Sequence, residues 1–319
     1  TYNKADHTTY TDPKLVEKLI EMLRSKGFTK VTVVEAQSTY GEYFNNRGVK
    51  DVAEYIGYDI TGAKGYTIVD LTTDIDENDH RDFGAHLGKH PVPRTWRDAD
   101  FRISFAKNKT HSYAYYTLCL KCIYGALPMA NKFKEYHCDR DIYHTTIEYL
   151  EQFPVDFGII DAHLSADGPF GIFADGEPNP TQTIIGGPNI VAVDWVGASK
   201  MGIDPKLSPH MELAVRAFGK PKIELIGDAT TYKPWLNVPL TLTLFANEGL
   251  DADYFWGNLF YMLGCYMDED QFTYKSRSRF MRLARRAVKP VQEAIFVQAG
   301  GERSRANRIL SDILTKLGG

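Results

Sequence analysis

Cysteine, basic charge and long apolar runs are all scarce in this chain. Four cysteines in 319 residues are too few for the disulfide framework of a small secreted domain. Lys and Arg total 37 against 41 Asp and Glu, a formal net charge of −4, which argues against nucleic acid as the main partner. No apolar run approaches the ~18 residues of a membrane span. These absences favour a soluble globular protein that acts on a small molecule.

The first residues are polar and do not form a signal peptide. The chain starts at Thr1 rather than Met, so we interpret it as processed or truncated. The cytoplasm is the favoured location, and export is left open because a leader could have been removed. The sequence leaves homo-oligomer formation open as well.

Alternating strand and helix patterns predict an α/β fold. Helical spacing indicates helices at 13–26 (capped by Thr11), 47–57, 112–127, 140–152 and 190–201, and short apolar runs indicate strands at 31–34, 66–72, 99–105, 157–160 and 222–226. Residues 73–98 are rich in charge and are expected to form a long loop. We therefore predict a mostly parallel sheet with helices on both faces. Residues 1–249 would form this core domain, and 250–319 a helical extension packed on it.

Charged residues follow several predicted strands. Asp70, Lys107, Asp161 and Asp228 lie at such ends, where α/β sheets bind ligands. Polar strand ends are also ordinary surface features. Lys107 and Lys109 share a short predicted loop before the next helix start, which suits an anionic substrate. The alternative is a solvated basic loop.

Lys121 is the strongest single candidate for chemistry. Its neighbours Leu120 and Ile123 are apolar, and a lysine in apolar surroundings has a lowered pKa and becomes a nucleophile or base. The alternative is a lysine whose amine reaches water. Asp161 could act as a base or bind a metal.

Glycines and an acidic residue mark a second segment. Gly186 and Gly187 could let the backbone approach a cofactor closely. Asp194 lies on the helix that follows them. It is either part of this site or a charge that complements a helix dipole.

Three cysteines and a histidine cluster in sequence. Cys119 and Cys122 form a C-x-x-C pair, and Cys138 follows His137 directly. Such a set could bind zinc or an iron–sulfur cluster. A buried helical cysteine, however, usually behaves as a small hydrophobic residue.

The spaced motifs resemble domain of unknown function 362, a family whose members are often labelled iron–sulfur-centre proteins. The resemblance covers about residues 7–205. It rests on Thr11-Asp-Pro13, Asn108-Lys-Thr-His111, Lys121 with Gly125 and Pro128, His137, Asp161, Gly168-Pro169, Gly186-Gly187, Ala192-Val-Asp194 and Met201-Gly202. The chain departs from the family pattern in three ways. It lacks the usual first strand ending in Lys-Pro-Asn, it has Cys122 where Asn commonly follows the lysine, and it has no ferredoxin-type cysteine run.

A more distant resemblance concerns His111, Lys121 and His137. Their gaps of ten and sixteen residues are similar to those in the lactate racemase family. That resemblance implies that Lys121 carries a nickel pincer nucleotide, that His137 ligates nickel, and that His111 moves protons. A second acid/base histidine would be needed there, and His80, His86 or His90 could serve.

The leading hypothesis is therefore a metal-assisted enzyme built around His111, Lys121, His137 and Asp161. It would act on a small oxygenated anion by racemisation, epimerisation or hydride transfer, with Lys107 and Lys109 neutralising the substrate. The second hypothesis is a redox or metal-carrying accessory protein that uses the three cysteines. The third is an interaction protein that uses the basic segment 274–286, for which we favour a solvated helix face instead.

Overall fold

The computed structural model describes residues 8–39, 41, 44–168, 178–244 and 246–247, with scattered positions from 275 to 316. The α-helices are α1 (Pro13–Ser25), α2 (Val49–Ile56), α3 (Arg94–Arg97), α4 (Cys119–Cys122), α5 (Ile142–Gln152), α6 (Ile190–Lys200), α7 (Pro209–Phe218) and α8 (Leu240–Leu244). The strands are β1 (Thr32–Glu35), β2 (Thr67–Asp70), β3 (Ile75–Asp82), β4 (Lys89–Pro93), β5 (Ile103–His111), β6 (Tyr115–Thr117), β7 (Phe157–Ala166) and β8 (Thr183–Gly187). Short 3₁₀-helices span Ile123–Ala126 and Pro205–Leu207, and a π-helix spans Phe133–Cys138.

The first helix begins where the sequence predicts it, with a different cap. Asp12, not Thr11, is the N-cap of α1, and its carboxylate accepts a hydrogen bond from Lys14 N. Pro13 fills the first helical position, where its missing N–H has no cost. Thr11 instead donates to the carbonyl oxygen of Phe105. The start of α1 is thereby attached to β5.

The main sheet has the order β6-β5-β7-β8 and is mixed. Only β5 and β7 run parallel in it, whereas β6 and β8 are antiparallel to their neighbours. The prediction of a mostly parallel sheet is therefore wrong. The turn between β5 and β6 spans residues 112–114, which is too short for the crossover that a parallel neighbour needs. A separate parallel pair, β1-β2, and an antiparallel pair, β3-β4, complete the strands of the described residues.

Helices pack on both faces of the main sheet. Successive strand residues point to opposite faces, and Ala106 belongs to the large buried cluster that includes α4 and α6, whereas Phe105 packs with Val16 and Ile20 of α1. Helix α6 lies very close to the sheet. A Cβ on Gly197 would be 2.8 Å from Ile160 Cδ1, so a larger residue there would force the helix away.

Four local predictions fail for a common reason. Residues 73–98 form β3, β4 and α3 rather than a loop. Residues 105–111, which include the predicted loop with Lys107 and Lys109, lie within β5. Residues 112–127 contain β6 and the short α4 rather than one helix. Residues 222–226 form no strand, and Ile226 is 90% exposed. Polarity and apolar runs report solvent contact, whereas strand formation also needs a pairing partner.

The predicted helical extension at 250–319 and the basic segment 274–286 lie largely outside the described residues. Among the residues that are described, no helix combines the length and the apolar character needed to cross a bilayer.

Candidate active site

Lys121 is positioned by a buried carboxylate on another helix. Asp194, fully buried in α6, accepts hydrogen bonds from the backbone N–H groups of Cys119 (2.7 Å) and Leu120 (2.8 Å) at the start of α4. These donors have no partner within a helix, so the carboxylate caps α4. Burial raises the pKa of Asp194 to about 7, and the two N–H groups oppose that rise. Asp194 does complement a helix start, but that of α4 rather than that of its own helix.

The amine of Lys121 lies in a crowded, poorly solvated region. The side chain is half-buried, and Nζ is 5.5 Å from the centre of the Tyr124 ring. Burial, followed by the positive charges of Lys109 and Lys132, lowers the pKa of Lys121 to about 7, while Cys122 and Glu35 oppose the shift. A substantial fraction of the amine is therefore uncharged near neutral pH, as its apolar sequence neighbours predict.

His111 is the last residue of β5, directly before the β5-β6 turn. Its Nδ1 accepts a hydrogen bond from Tyr113 N at 3.2 Å, which leaves Nε2 as the donor of the neutral ring. Burial, then the charges of Lys121 and Lys109, hold the pKa of His111 well below its usual value. Tyr115 closes the turn at a φ of 62°, a left-handed conformation that a bulky side chain rarely adopts.

His137 lies in the π-helix and is surrounded by aromatic rings. Its ring centre is 5.4 Å from that of Tyr113, 5.5 Å from Phe133 and 5.8 Å from Tyr124. Its charge also depresses the pKa of His111. The structure thus brings His111, Lys121 and His137 into one region; the roles assigned to them from sequence stay predictions.

The structure adds a fourth group, His210, which the sequence reasoning missed. His210 lies in the first turn of α7 and is 1% exposed. Burial and the charges of Lys121 and His137 hold its pKa well below the usual value. The only local signal was a histidine on the apolar face of a helix that also buries Met211 and Ala214, a pattern that ordinary core histidines share.

A cavity of about 520 Å³ lies beside this cluster, between the α1-β1 unit and β5. Apolar side chains line one part, and Lys107, Lys109 and Lys132 line another. Lys121 does not line the cavity, but its neighbours Cys122 and Tyr124 do.

Lys132 and Glu35 both line the cavity, and the charge of each affects the other. Lys132 Nζ donates to the carbonyl oxygens of Tyr124 and Leu127, each at 2.7 Å. Burial lowers the pKa of Lys132 to about 8, and Glu35 opposes the shift. Glu35 keeps surface toward the cavity, yet burial by the surrounding protein raises its pKa. A Cβ on Gly125 would overlap Glu35 Oε1, so a larger residue there would force this carboxyl group to move.

Lys107 and Asp161 form a buried ion pair. Lys107 Nζ is 2.8 Å from Asp161 Oδ2, and the two side chains are 4% and 0% exposed. Asp161 also accepts from the backbone N–H groups of Asp12 and His163. Both oxygens are engaged, so the geometry favours a structural role over the predicted catalytic one. Lys107 likewise has its charge paired, which makes it a poorer candidate for binding a substrate anion than the sequence predicts.

The cysteines do not form the predicted metal site. Cys119 is fully buried and its thiol donates to the carbonyl oxygens of Ser104 and Ile159. Burial raises the pKa of Cys119 well above its usual value and that of Cys122 to about 12. Among the described residues, no three His, Cys, Asp or Glu side chains lie close enough to hold a metal ion. We assign no metal ligand to Cys119, Cys122, His137 or Cys138.

Gly186 and Gly187 lie opposite the first residues of β7. Because β8 is antiparallel, Gly187 pairs with Gly158, which pairs in turn with Ser104 near the start of β5. Lys109 lies about 16 Å farther along β5 at ~3.3 Å per residue. The cofactor contact predicted at these glycines is therefore distant from Lys109, and it stays a prediction.

The three histidines suggested as a second acid/base also lie elsewhere. His90 Nε2 is hydrogen-bonded to Tyr136 Oη at 2.8 Å, His86 stacks on His144, and His80 is in β3. The histidine that does approach Lys121 is His210.

Comparison with known families agrees with the sequence motifs. Residues 2–199, well over half of the chain, match the family model described as domain of unknown function (DUF362). The chain belongs to this family. The predicted DUF362 resemblance is thus confirmed, whereas the similarity to lactate racemases stays a prediction. No curated protein matches the chain. The DUF362 match contains His111, Lys121 and His137 and ends before His210.

Proposed function

We propose that this DUF362 protein is an enzyme that acts on a small anionic carbonyl compound, with the uncharged amine of Lys121 as its nucleophile. The observation that carries the proposal is the placement of a half-buried amine, with a pKa of about 7, among imidazoles that burial keeps neutral. An amine in this state adds to a carbonyl carbon and forms an imine.

The neutral imidazoles support proton transfer as the subsequent chemistry. An imine withdraws electrons from the neighbouring carbon and makes its C–H bond more acidic. His111, buried with a lowered pKa, is a base that can remove such a proton and return it to either face. Racemisation or epimerisation by proton transfer is therefore the reaction class that this arrangement supports best.

Charge near the amine supports an anionic substrate. Lys109 lines the cavity and its charge is felt by both Lys121 and His111. A carboxylate bound near Lys109 would be attracted by it. The buried pair of Lys107 with Asp161 contributes little to such attraction, because the two charges offset each other.

The proposal is tested by reductive trapping with glyoxylate, an anionic aldehyde, and cyanoborohydride. We expect Lys121 to be the first lysine labelled at pH 7, because burial lowers its pKa to about 7 and a substantial fraction of the amine is uncharged there. Peptide mass spectrometry locates the adduct. The labelling rate should rise through pH 7 and level off above pH 8.

Two variants sharpen the experiment. Lys121→Arg should remove the label, since a guanidinium does not form an imine under these conditions. Lys18→Arg is the matched control, because Lys18 is exposed and its ion pair among the described residues is with Glu21 on α1; this variant should be labelled at Lys121 as the wild type is. Labelling spread over surface lysines, with no preference for Lys121 at pH 7, would refute the proposal.

The cysteine-based accessory function receives no support from the geometry. The thiols of Cys119 and Cys122 are held protonated by burial, and thiolate is the form that binds metal and exchanges disulfides. We therefore do not propose it.

A further inference from the structure

His210 differs from the other buried histidines in having no hydrogen-bond partner among the described residues. Both Nδ1 and Nε2 are fully buried and unpaired there, although the side chain is 1% exposed. Leaving a buried polar group unpaired costs about 1–3 kcal/mol. A phenylalanine would fill the same space without that cost. A histidine with two unused nitrogens thus points to a partner that the described residues do not supply.

The surroundings of His210 indicate what that partner is. The ring faces Tyr143 edge-on at 4.9 Å. The charges of Lys121 and His137 lower the pKa of His210, and a charge on His210 in turn lowers the pKa of His111. The partner therefore lies in the same region as the amine to which the proposed function assigns the addition step. It must also both accept and donate hydrogen bonds, or accept one and yield a proton.

We propose that His210 is a further catalytic residue of this site, one that contacts the carbonyl oxygen of the bound substrate and carries the proton moved during imine formation. This inference rests on the proposed function. The lone pair of Lys121 Nζ forms the N–C bond, and the C=O π electrons move to oxygen. His210 takes one proton from the nitrogen and delivers it to that oxygen, which gives a neutral carbinolamine. His210 then passes the second proton of the nitrogen to the hydroxyl oxygen. The nitrogen lone pair forms the C=N bond as the C–O bond breaks, and water leaves with the C–O electron pair. Amine and carbonyl are thus converted to imine and water, with no other reactant.

The test compares two buried histidines replaced by the same apolar ring. His210→Phe removes two unpaired nitrogens and is expected to leave the melting temperature of the ligand-free protein unchanged or higher. His90→Phe is the matched control. His90 is also buried, but it is hydrogen-bonded to Tyr136. Its replacement leaves the Tyr136 hydroxyl without this hydrogen bond and should lower the melting temperature. A drop for His210→Phe as large as that for His90→Phe would show a satisfied structural histidine and overturn the inference.

The functional readouts are glyoxylate trapping at Lys121 and the rise in melting temperature that glyoxylate produces. His210→Phe should slow trapping by about a hundredfold, the usual size of a lost acid/base, and should abolish the rise. His90→Phe should retain both. His210→Gln, which can hydrogen-bond but cannot transfer a proton, should keep the glyoxylate-induced rise in melting temperature but should be trapped as slowly as His210→Phe. Wild-type trapping rates in both His210 variants would overturn the inference and would indicate a histidine satisfied by water alone.

The two proposals fail differently. If wild-type Lys121 is not trapped but glyoxylate stabilises the wild type and not His210→Phe, imine chemistry is refuted while His210 still contacts the ligand. If glyoxylate neither labels nor stabilises the wild type, the substrate contact assigned to His210 is overturned as well.

Discussion

The cap that Asp194 provides for α4 can be tested through its dependence on pH. In Asp194→Asn, one carboxylate oxygen becomes an NH₂ group, so one of the two N–H groups of Cys119 and Leu120 loses its acceptor. A buried donor without a partner costs about 1–3 kcal/mol. The variant, however, also avoids burying a charge, and this second effect depends on pH.

The sign follows from the raised pKa. The folded-state pKa of Asp194 is about 7 against an ordinary value of 3.8, so the native state holds its proton over a range where the unfolded chain has released it. The stability that this provides is complete below pH 4 and is lost as the pH rises to 7. At ~1.4 kcal/mol per pKa unit, the wild type loses roughly 2–3 kcal/mol between pH 5 and pH 8 from this group.

Urea unfolding of both proteins at pH 5, 6, 7 and 8 measures the effect. The difference in unfolding free energy between wild type and Asp194→Asn should shrink by about 2–3 kcal/mol as the pH rises from 5 to 8. Subtracting the two proteins removes the contributions of the buried histidines, which both contain. Asp204→Asn is the control, since Asp204 also accepts from a backbone N–H group at a helix start but is exposed; its effect should vary little between pH 5 and pH 8. A difference for Asp194→Asn that stays constant with pH would refute the reasoning.

Two further predictions concern buried polar groups of β5 and α4. Lys107→Met should destabilise the fold by about 3–5 kcal/mol in urea unfolding, because it leaves the carboxylate of Asp161 buried without its ion pair, and Lys107→Met with Asp161→Leu should recover part of that loss. A single variant as stable as the wild type would contradict the ion pair. Cys119 and Cys122 should react with a thiol-specific disulfide reagent at pH 8 only after denaturation, because their raised pKa values keep both thiols protonated; rapid reaction of either in the native protein would show otherwise.

The sequence predicts the elements with strong periodicity and a cap better than it predicts strand direction. Helices α1 and α6 lie within two residues of their predicted bounds, because apolar spacing and Pro13 or Asn189 at the start act locally. The direction of β6 and β8 depends on turn length and on pairing partners far along the chain, which no local pattern encodes. The hairpin of β3 and β4 is missed because β3 is polar and exposed or half-buried, whereas the buried β4 contains two prolines, which argue against a strand.

The candidate site divides in a similar way. The proximity of His111, Lys121 and His137 follows from motif spacing, and the lowered pKa of Lys121 follows from its apolar neighbours. His210 could not be found from spacing, because α7 reaches the cluster only through the packing of the whole fold. The reverse holds for Asp161, whose position after an apolar run suggested chemistry while its hydrogen bonds show that its oxygens are already used.

The hydrogen bonds and ion pair of the Asp161 carboxylate limit how the substrate preference of this protein can be altered. Its carboxylate joins three chain segments: β7 that carries it, β5 through Lys107, and the N-terminus of α1 through Asp12 N. Reversing the charge at Lys107 to favour a cationic compound would therefore also loosen the anchoring of α1. Engineering at this face of the sheet has to begin at positions that do not share that carboxylate.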